Sequence, residues 1–237
     1  MPAPLLFAAA GAAPFIAALA LVYASPDKKL RADFWQRAFD LKKLGGVWLP
    51  VCLLAAPLLM LLAGGLDSAL GGLGLALEDS IFAGALAFAS SAVFLFFFGL
   101  LPEELGWRGY ALDALQERFT PAGSSLLLGL TWALWHLPLS FIAGSYQHSL
   151  RAQPLMAILF AVNILSQTCL MTWIFNRTWR STLSAVLFHY AVNLGGEALS
   201  LSLRAEVFLA VLWAAAALGV LLFGRFNHPP AVKEKPA

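Results

Sequence analysis

Residues 93–108 read VFLFFFGLLPEELGWR, an apolar run that ends in two adjacent glutamates and an arginine. Ionisable side chains at membrane depth are costly, so each of them needs a partner or a task. Two later apolar stretches carry Trp132-x-x-x-His136 and His189-x-x-x-Asn193. A carboxylate and two histidines from three separate segments are the usual ingredients of a site that activates water. The three motifs therefore indicate a membrane protein with a buried chemical site.

The composition supports a membrane location for the rest of the chain. Hydrophobic residues make up 60% of the 237 residues, against roughly 45–50% in an ordinary soluble domain. Charged residues make up only 12%, about half of the soluble norm of ~25%. The net charge of +2 is too small to indicate a nucleic-acid partner. We therefore predict an all-α fold, a polytopic membrane helix bundle whose partners include membrane lipid and no nucleic acid.

The hydrophobic segments predict seven to eight transmembrane helices. A helix needs roughly 20 apolar residues to cross a bilayer. Seven stretches meet this length or come close to it: residues 4–24, 48–65, 81–101, 124–142, 154–176, 181–203 and 206–224. Because Pro102 lacks a backbone donor, we expect it to break or kink the helix that begins near residue 81. A second helix over 103–120 adds an eighth span if it dips into the bilayer.

The basic residues predict the orientation of the bundle. Of the fifteen Lys and Arg residues, all but Arg151 and Arg204 fall on alternate connections, which are residues 25–47, 102–123 and 177–180 and the C-terminal tail. The positive-inside rule places these connections in the cytoplasm. We therefore expect the N-terminus outside and the C-terminus in the cytoplasm, in a bacterial or archaeal cell membrane. The alternative reading of the first segment, a cleaved signal peptide, lacks a basic residue near its start.

We predict a single integral-membrane domain over residues 1–227, with the motifs of the site within 80–200. The polar, proline-rich segment 228–237 is typical of a disordered cytoplasmic tail. In the first basic connection, Ser25 and Pro26 predict a helix start and Gly45-Gly46 a stop. The helix between them is amphipathic, so it lies either on the inner leaflet or against the end of the bundle.

The first motif predicts different tasks for its two glutamates. Glu104 and Arg108 are four residues apart with the acid first, which is the favourable order for a helical ion pair. Glu103 is rotated by about 100° from Glu104 on a helix, so it is free to face a cavity. By counting along the chain, however, Glu103 lies near the cytoplasmic surface. It meets the histidines only if its helix is drawn inward.

The two histidine motifs predict side chains at similar depths. Trp132 and His136 share one helix face, and so do His189 and Asn193. Counting at 1.5 Å per residue from the cytoplasmic helix ends places both histidines roughly in the middle of the membrane. Pro138 should distort the helix just after His136 and admit water or expose carbonyl groups there.

Taken together, EELGWRGYALDAL, WALWHLP and LFHYAVN resemble the motifs of the CPBP family, also called Abi, of CAAX prenyl endopeptidases and bacteriocin-processing or immunity proteins. The resemblance covers about residues 80–200, in the same order on successive membrane segments. One departure is Trp132, where the family usually has phenylalanine. The resemblance implies an intramembrane protease with an eight-helix-like core and a site that opens to the cytoplasmic side.

The resemblance also implies catalytic roles for four residues. Glu103 would be the general base on water, and His136 would help to hold that water or bind a metal. His189 and Asn193 would stabilise the oxyanion, with Glu104, Arg108 and Trp132 in support. Independent chemistry agrees, because peptide hydrolysis needs an activated water and donors aimed at the oxyanion.

The cofactor stays open at this point. Glu103, His136 and His189 would make a His₂Glu zinc set with one open position. A metal-free, glutamate-type mechanism is equally plausible, and the chain lacks a His-Glu-x-x-His motif. The oxygen and nitrogen donors alone do not decide between the two.

Three functions fit these observations. The first is an intramembrane endopeptidase that cuts a membrane-tethered or lipidated substrate, including a prenylated, CAAX-type peptide. The second is a non-proteolytic bacteriocin-immunity or peptide-binding scaffold of the same fold. The third is a small transporter, which predicts repeated halves with broken helices in matching positions. The sequence shows no such repeat, so the peptidase is the leading expectation.

Overall fold

The computed structural model describes residues 3–78, 84–224 and 226, and these form a bundle of apolar helices. The predicted tail 228–237 lies outside the described residues. In chain order the α-helices are α1 (Ala3–Ala24), α2 (Lys28–Phe39), α3 (Trp48–Ala69), α4 (Ala85–Phe94), α5 (Leu101–Gly106), α6 (Leu112–Gln116), α7 (Pro121–Trp135), α8 (Tyr146–Leu150), α9 (Pro154–Arg177), α10 (Thr182–Ala198) and α11 (Leu203–Phe223). Strands β1 (Leu75–Leu77) and β2 (Leu199–Leu201), 3₁₀ turns Leu41–Leu44 and Leu137–Phe141, and π-helical segments Leu95–Leu100 and Trp107–Ala111 complete the chain.

Four helices in the described part of the chain are long and apolar enough to cross a membrane. They are Trp48–Ala69, Phe88–Gln116, Pro154–Arg177 and Leu203–Phe223. The predicted all-α membrane bundle is thereby confirmed. Helices α7 and α10 carry the two histidine motifs and have only 15 and 17 residues. A full crossing takes ~20 residues. Both helices fall below that length and are shorter than α3, α9 and α11.

Pro102 does not break its helix, so of the predicted break or kink the break, and with it the separation of 81–101 from 103–120, is wrong. One continuous helix of 29 residues runs from Phe88 to Gln116. Just before Pro102 the helix widens into a π segment, in which the Leu101 N–H bonds to the carbonyl of Phe96 five residues back. Such local π turns accommodate a proline within a membrane helix. Glu103 therefore lies within a long helix instead of at its surface end.

The helices pack closely where small residues allow it. Helix α10 packs on α3, α9 packs on α7 and α11, and α1 packs on α5. At the last of these contacts, a Cβ on Gly106 would lie 2.5 Å from the carbonyl carbon of Pro14. No side chain fits at that distance, so the approach of α1 to α5 depends on glycine. Small residues play the same part at many membrane-helix interfaces.

At one end of the bundle, which we call the ribbon end, β1 and β2 pair antiparallel with Leu75 opposite Leu201. The predicted helix over 181–203 is therefore too long, because α10 ends at Ala198 and β2 follows. A buried carboxylate holds this junction together. Asp67 accepts hydrogen bonds from Gly74 N at 2.7 Å and Ser202 Oγ at 2.7 Å, and it pairs with Arg204.

The opposite end, which we call the basic end, consists of residues 25–47, 117–120 and 178–181. Helix α2 starts here from an Asp27 cap, whose Oδ1 accepts the Lys29 N–H at 2.8 Å. The predicted start at Ser25 is thus two residues early, because the aspartate makes the capping bond. Helix α2 buries Phe34, Arg37 and Ala38. Helix α2 thus packs against the end of the bundle, as one of the two predicted locations requires, and its place on the inner leaflet stays a prediction.

An ionic cluster fastens α2 to the helix that carries the two glutamates. Arg37 is 1% exposed and lies 2.8 Å from both Asp33 Oδ2 and Asp113 Oδ2. Its Nη2 also donates to the Gly109 carbonyl at 2.8 Å, inside the π segment that precedes α6. Burial lowers the pKa of the Arg37 guanidinium, and the charge of Asp113 opposes that change. The cluster thus fastens α2 to the long helix at Gly109, the residue that follows Arg108.

Candidate active site

The predicted ion pair between Glu104 and Arg108 is present, and it is fully buried. Arg108 Nη1 lies 2.8 Å from Glu104 Oε1 and 3.0 Å from Oε2, and both side chains are 0% exposed. The same Oε1 accepts a hydrogen bond from His189 Nδ1 at 2.9 Å. One carboxylate therefore joins the first motif to the third. A buried charge is tolerated only when it is paired in this way.

Trp132 occupies the centre of the site. Its Nε1 donates to Glu103 Oε2 at 3.3 Å, and its ring lies 4.9 Å from the guanidinium carbon of Arg108. The ring of His189 meets the indole edge to face, with centroids 4.9 Å apart. This single side chain thus contacts residues of the first and third motifs. The sequence predicted Trp132 only as a supporting aromatic residue.

Glu103 and Glu104 face different partners, as their rotation on the helix predicted. Glu103 is half-buried, and its Oε1 accepts no hydrogen bond from any described residue. The carboxylate of Glu104 is paired with Arg108 and accepts a hydrogen bond from His189. A carboxylate oxygen without a protein partner is the one available to bind water. Glu103 is thus the freer of the two acids.

His136 lies where α7 gives way to the 3₁₀ turn that contains Pro138, so the predicted distortion is present. Its Nδ1 is 2.8 Å from the carbonyl oxygen of Trp132. Because a carbonyl oxygen only accepts, Nδ1 carries the proton of this bond. Nε2 is then the ring atom that remains for water or substrate. The ring itself is held between Trp135 and Phe160, at centroid distances of 5.0 and 5.4 Å.

His189 and Asn193 lie on one face of α10, which starts from a Ser181 cap at the basic end. Asn193 Nδ2 donates to the His189 carbonyl at 3.1 Å, so one amide hydrogen of the side chain remains free. The His189 bond to Glu104 uses Nδ1 and likewise leaves Nε2 available. A helix cap, an ion pair and a local hydrogen bond therefore orient the two residues before any substrate binds.

The two histidines and Asn193 line a common cavity of about 350 Å³. Trp132 forms part of its wall, and Glu103, which is not among the lining residues, is bonded to the indole nitrogen of Trp132. The structure thus brings His136, His189 and Asn193 into one cavity and connects Glu103 to it through Trp132. The predicted approach of Glu103 to His136, direct or through one water, stays a prediction.

Several cavity residues lie outside the three motifs. Asn163 and Gln167 belong to α9, and Glu197 follows the Gly195-Gly196 pair of α10. All three line the cavity, together with Glu206 and Tyr146. A spacing of four residues between Asn163 and Gln167 was the available signal, since it puts both amides on one face of α9. Nothing in the sequence showed which way that face points.

The predicted zinc set does not fit this geometry. Among the described residues, no three His, Cys, Asp or Glu side chains are arranged to hold a metal ion. Nδ1 of each histidine is engaged in a protein contact, which leaves only the two Nε2 atoms as nitrogen donors, and one oxygen of Glu103 is bonded to the indole of Trp132. We therefore derive no step through a metal.

The cavity belongs to the ribbon end of the bundle. Its lining includes Tyr146 and Gln147 of α8, Leu199 and Leu201 of β2, and Glu206 in the first turn of α11. The short helices α7 and α10 both begin at the basic end, at the Thr120 and Ser181 caps, and the cavity is lined by residues from their later turns. The predicted cytoplasmic location of the basic end therefore conflicts with the predicted opening of the site to the cytoplasm. If the basic end is cytoplasmic, the cavity does not open to the cytoplasm.

Comparisons with known proteins agree with the motifs that build this site. The family model described as type II CAAX prenyl endopeptidase Rce1-like matches residues 85–195, which contain all three motifs. A protein from Methanococcus maripaludis, described as CAAX prenyl protease 2, is 33% identical over 217 residues. That similarity covers 90% of this chain and 79% of the relative. The chain therefore belongs to the Rce1-like family of CAAX prenyl endopeptidases, which is the CPBP resemblance expected from its sequence.

Proposed function

We propose that the protein is an intramembrane endopeptidase that hydrolyses a peptide bond in a membrane-tethered or lipidated substrate with a glutamate-activated water. One observation carries the proposal. Trp132 joins Glu103, Arg108 and His189 at the wall of a cavity that also holds His136 and Asn193. The family match and the archaeal relative support a peptidase of this class.

In the proposed first step, Glu103 acts as the general base. Its unpaired Oε1 takes a proton from a water molecule whose second hydrogen is donated to Nε2 of His136. The water oxygen attacks the carbonyl carbon of the scissile bond. A positioned carboxylate used in this way contributes about 10²–10⁴-fold to the rate. The fixed tautomer of His136 suits it to accept from water, because Nδ1 donates to a backbone carbonyl.

In the second step, His189 and Asn193 stabilise the oxyanion. The free amide hydrogen of Asn193 donates to it, and a protonated His189 donates from Nε2. Removal of one such donor typically costs about 10²–10³-fold in kcat. The C–N bond then breaks, and the proton held by Glu103 passes to the departing amine. Glu104 and Arg108 act only by holding His189 and Trp132 in position.

The substrate proposal rests on the membrane setting and the family. Prenylated, CAAX-type peptides are substrates of the kind that the family name describes. A lipid-anchored peptide also reaches a cavity between membrane helices without entering bulk water. We propose such a peptide, in a bacterial or archaeal cell membrane, as the substrate class.

A peptide library offered to the purified protein in detergent tests this function. Matched prenylated, acylated and unmodified peptides would be incubated with the protein, and the products identified by mass spectrometry. We expect cleavage at one bond of the lipidated peptides. Binding without any cleavage would instead support the peptide-binding scaffold. Cleavage by a contaminant is recognised because it persists with Glu103→Gln protein purified in the same way.

A further inference from the structure

Beyond the proposed catalytic residues, further polar side chains line the cavity. They are Asn163 and Gln167 of α9, Glu197 of α10 and Glu206 of α11. Gln167 is only 7% exposed, yet its amide makes no hydrogen bond within the described residues. Asn163 Oδ1 is also buried without a partner. Buried amides are normally satisfied, so these two point to a bound ligand with polar groups of its own.

The two amides fit an extended peptide backbone. They are four residues apart and therefore lie about 6 Å from each other along one face of α9. Each amide offers both a donor and an acceptor, which is what alternating backbone N–H and C=O groups require. The facing stripe on α10 runs from His189 through Asn193 to Glu197 at the same spacing. A peptide strand lying between the stripes would place one of its bonds beside His189.

The two carboxylates give the mouth of the cavity a negative charge. Neither Glu197 nor Glu206 forms an ion pair with a lysine or arginine in the described part of the chain, and no described lysine or arginine lines the cavity. Of the two basic residues of the ribbon end, Arg204 is paired with Asp67 and Arg151 lies over the ring of Phe141. Partial burial raises the pKa of the Tyr146 phenol, and the charge of Glu206 raises it further. The negative charge is therefore left for a partner from outside the chain.

We propose that this cavity is a peptide subsite in which Asn163 and Gln167 hold the substrate backbone while Glu197 and Glu206 select a lysine or arginine side chain. The inference rests on the proposed function and adds a sequence preference to it. His189 and Glu197 are eight residues apart, or about 12 Å along the helix. An extended chain rises about 3.3 Å per residue. The basic residue therefore lies about two to four residues from the cleaved bond.

The test uses lipidated peptides that differ at one position. Lysine, glutamine or glutamate is placed two, three or four residues to either side of the cleaved bond, and both kcat/KM and Kd are measured with the full-length protein in detergent. At one of these positions we expect lysine to be preferred to glutamine by about tenfold and glutamate to be the poorest. In the Glu197→Gln, Glu206→Gln double variant, the lysine-to-glutamine ratio should fall to about one.

Two further variants show whether the effect belongs to the cavity. Glu117→Gln, at the exposed basic end, removes one negative charge elsewhere and should leave the ratio at its original value. Gln167→Leu should raise KM and Kd for the lysine and glutamine peptides by the same factor, because it acts on the backbone. Thermal unfolding of each variant identifies any that misfold.

The outcomes separate this inference from the proposed function. If lipidated peptides are cleaved with no preference for lysine at any position, the subsite proposal is wrong and the peptidase stands. If no peptide is cleaved but lysine peptides bind about tenfold more tightly than glutamine peptides, the subsite stands and the peptidase does not. A ratio that survives the double glutamate variant would also overturn the subsite.

Discussion

Nδ1 of His189 lies 2.9 Å from Oε1 of Glu104, although 85 positions separate the two residues in the chain. Both side chains are buried, and the same carboxylate carries the ion pair with Arg108. The hydrogen bond fixes which nitrogen of the imidazole faces the cavity. The second glutamate of the EExxxR motif, Glu104, therefore serves as a buried anchor for the third motif, while Glu103 keeps one carboxylate oxygen without a hydrogen bond from the described residues.

Removal of Arg108 should destabilise the protein strongly. Arg108→Ala leaves Glu104 without its cation in a buried site, and breaking a pair of this kind costs about 3–5 kcal/mol. The free energy of unfolding, measured by denaturant titration in mixed micelles, should fall by that amount. Arg118→Ala removes an equal charge from an exposed position and should change it by less than about 0.5 kcal/mol. Equal effects of the two substitutions would contradict a structural ion pair.

Trp132→Phe should be tolerated. Phenylalanine keeps a ring for Arg108 and His189 and loses only the indole N–H that donates to Glu103 at 3.3 Å. Because this hydrogen bond is long, we expect it to contribute about 0.5–1.5 kcal/mol, so kcat/KM should change by no more than roughly tenfold. Trp132→Ala, which also removes the ring, serves as the comparison and should abolish turnover. Complete loss of activity in Trp132→Phe would show that catalysis depends on the indole N–H far more than one hydrogen bond accounts for.

Removal of metal ions should leave the activity intact. The described residues offer no cluster of three His, Cys, Asp or Glu side chains for a metal. The protein would be dialysed against a chelator, its metal content determined, and peptide cleavage compared before and after. We expect equal rates. Loss of cleavage that is restored by zinc would mean that the site rearranges to bind it.

The orientation of the cavity is open to a direct labelling test. The charge asymmetry predicts that the basic end is cytoplasmic, which places the ribbon end and Gln147 outside. Gln147→Cys should then react with an impermeant maleimide on intact cells, whereas Glu117→Cys should react only after permeabilisation. The natural Cys52 and Cys169 are buried and give the background. The reverse pattern would put the cavity on the cytoplasmic side, where the family resemblance expects it.

Much of the site follows from local spacing in the sequence. The Glu104–Arg108 pair and the shared face of His189 and Asn193 depend only on the helical repeat, and the structure has both. The division of labour between Glu103 and Glu104 follows from the same repeat. Composition and hydropathy were enough to predict a membrane bundle of helices, because long apolar segments have few other stable solutions.

The remaining features depend on non-local geometry. The π segment before Pro102 keeps the helix continuous, and hydropathy cannot show this because the apolar run ends at Leu101. The bond from His189 to Glu104 and the cavity-facing amide of Gln167 depend on how helices rotate against each other. The rotation of one helix relative to another cannot be inferred from a single sequence. The strand after Ala198 likewise forms only because β1 lies beside it.

Turnover of a lipidated peptide by Glu103→Gln protein tests the central claim most directly. The substitution keeps the size of the side chain and removes the basic oxygen, and Glu117→Gln provides the matched control at the exposed basic end. We expect kcat to fall by at least about 10²-fold in Glu103→Gln, with Kd for the peptide and thermal stability nearly unchanged. Full activity in Glu103→Gln would contradict Glu103 as the base that activates water.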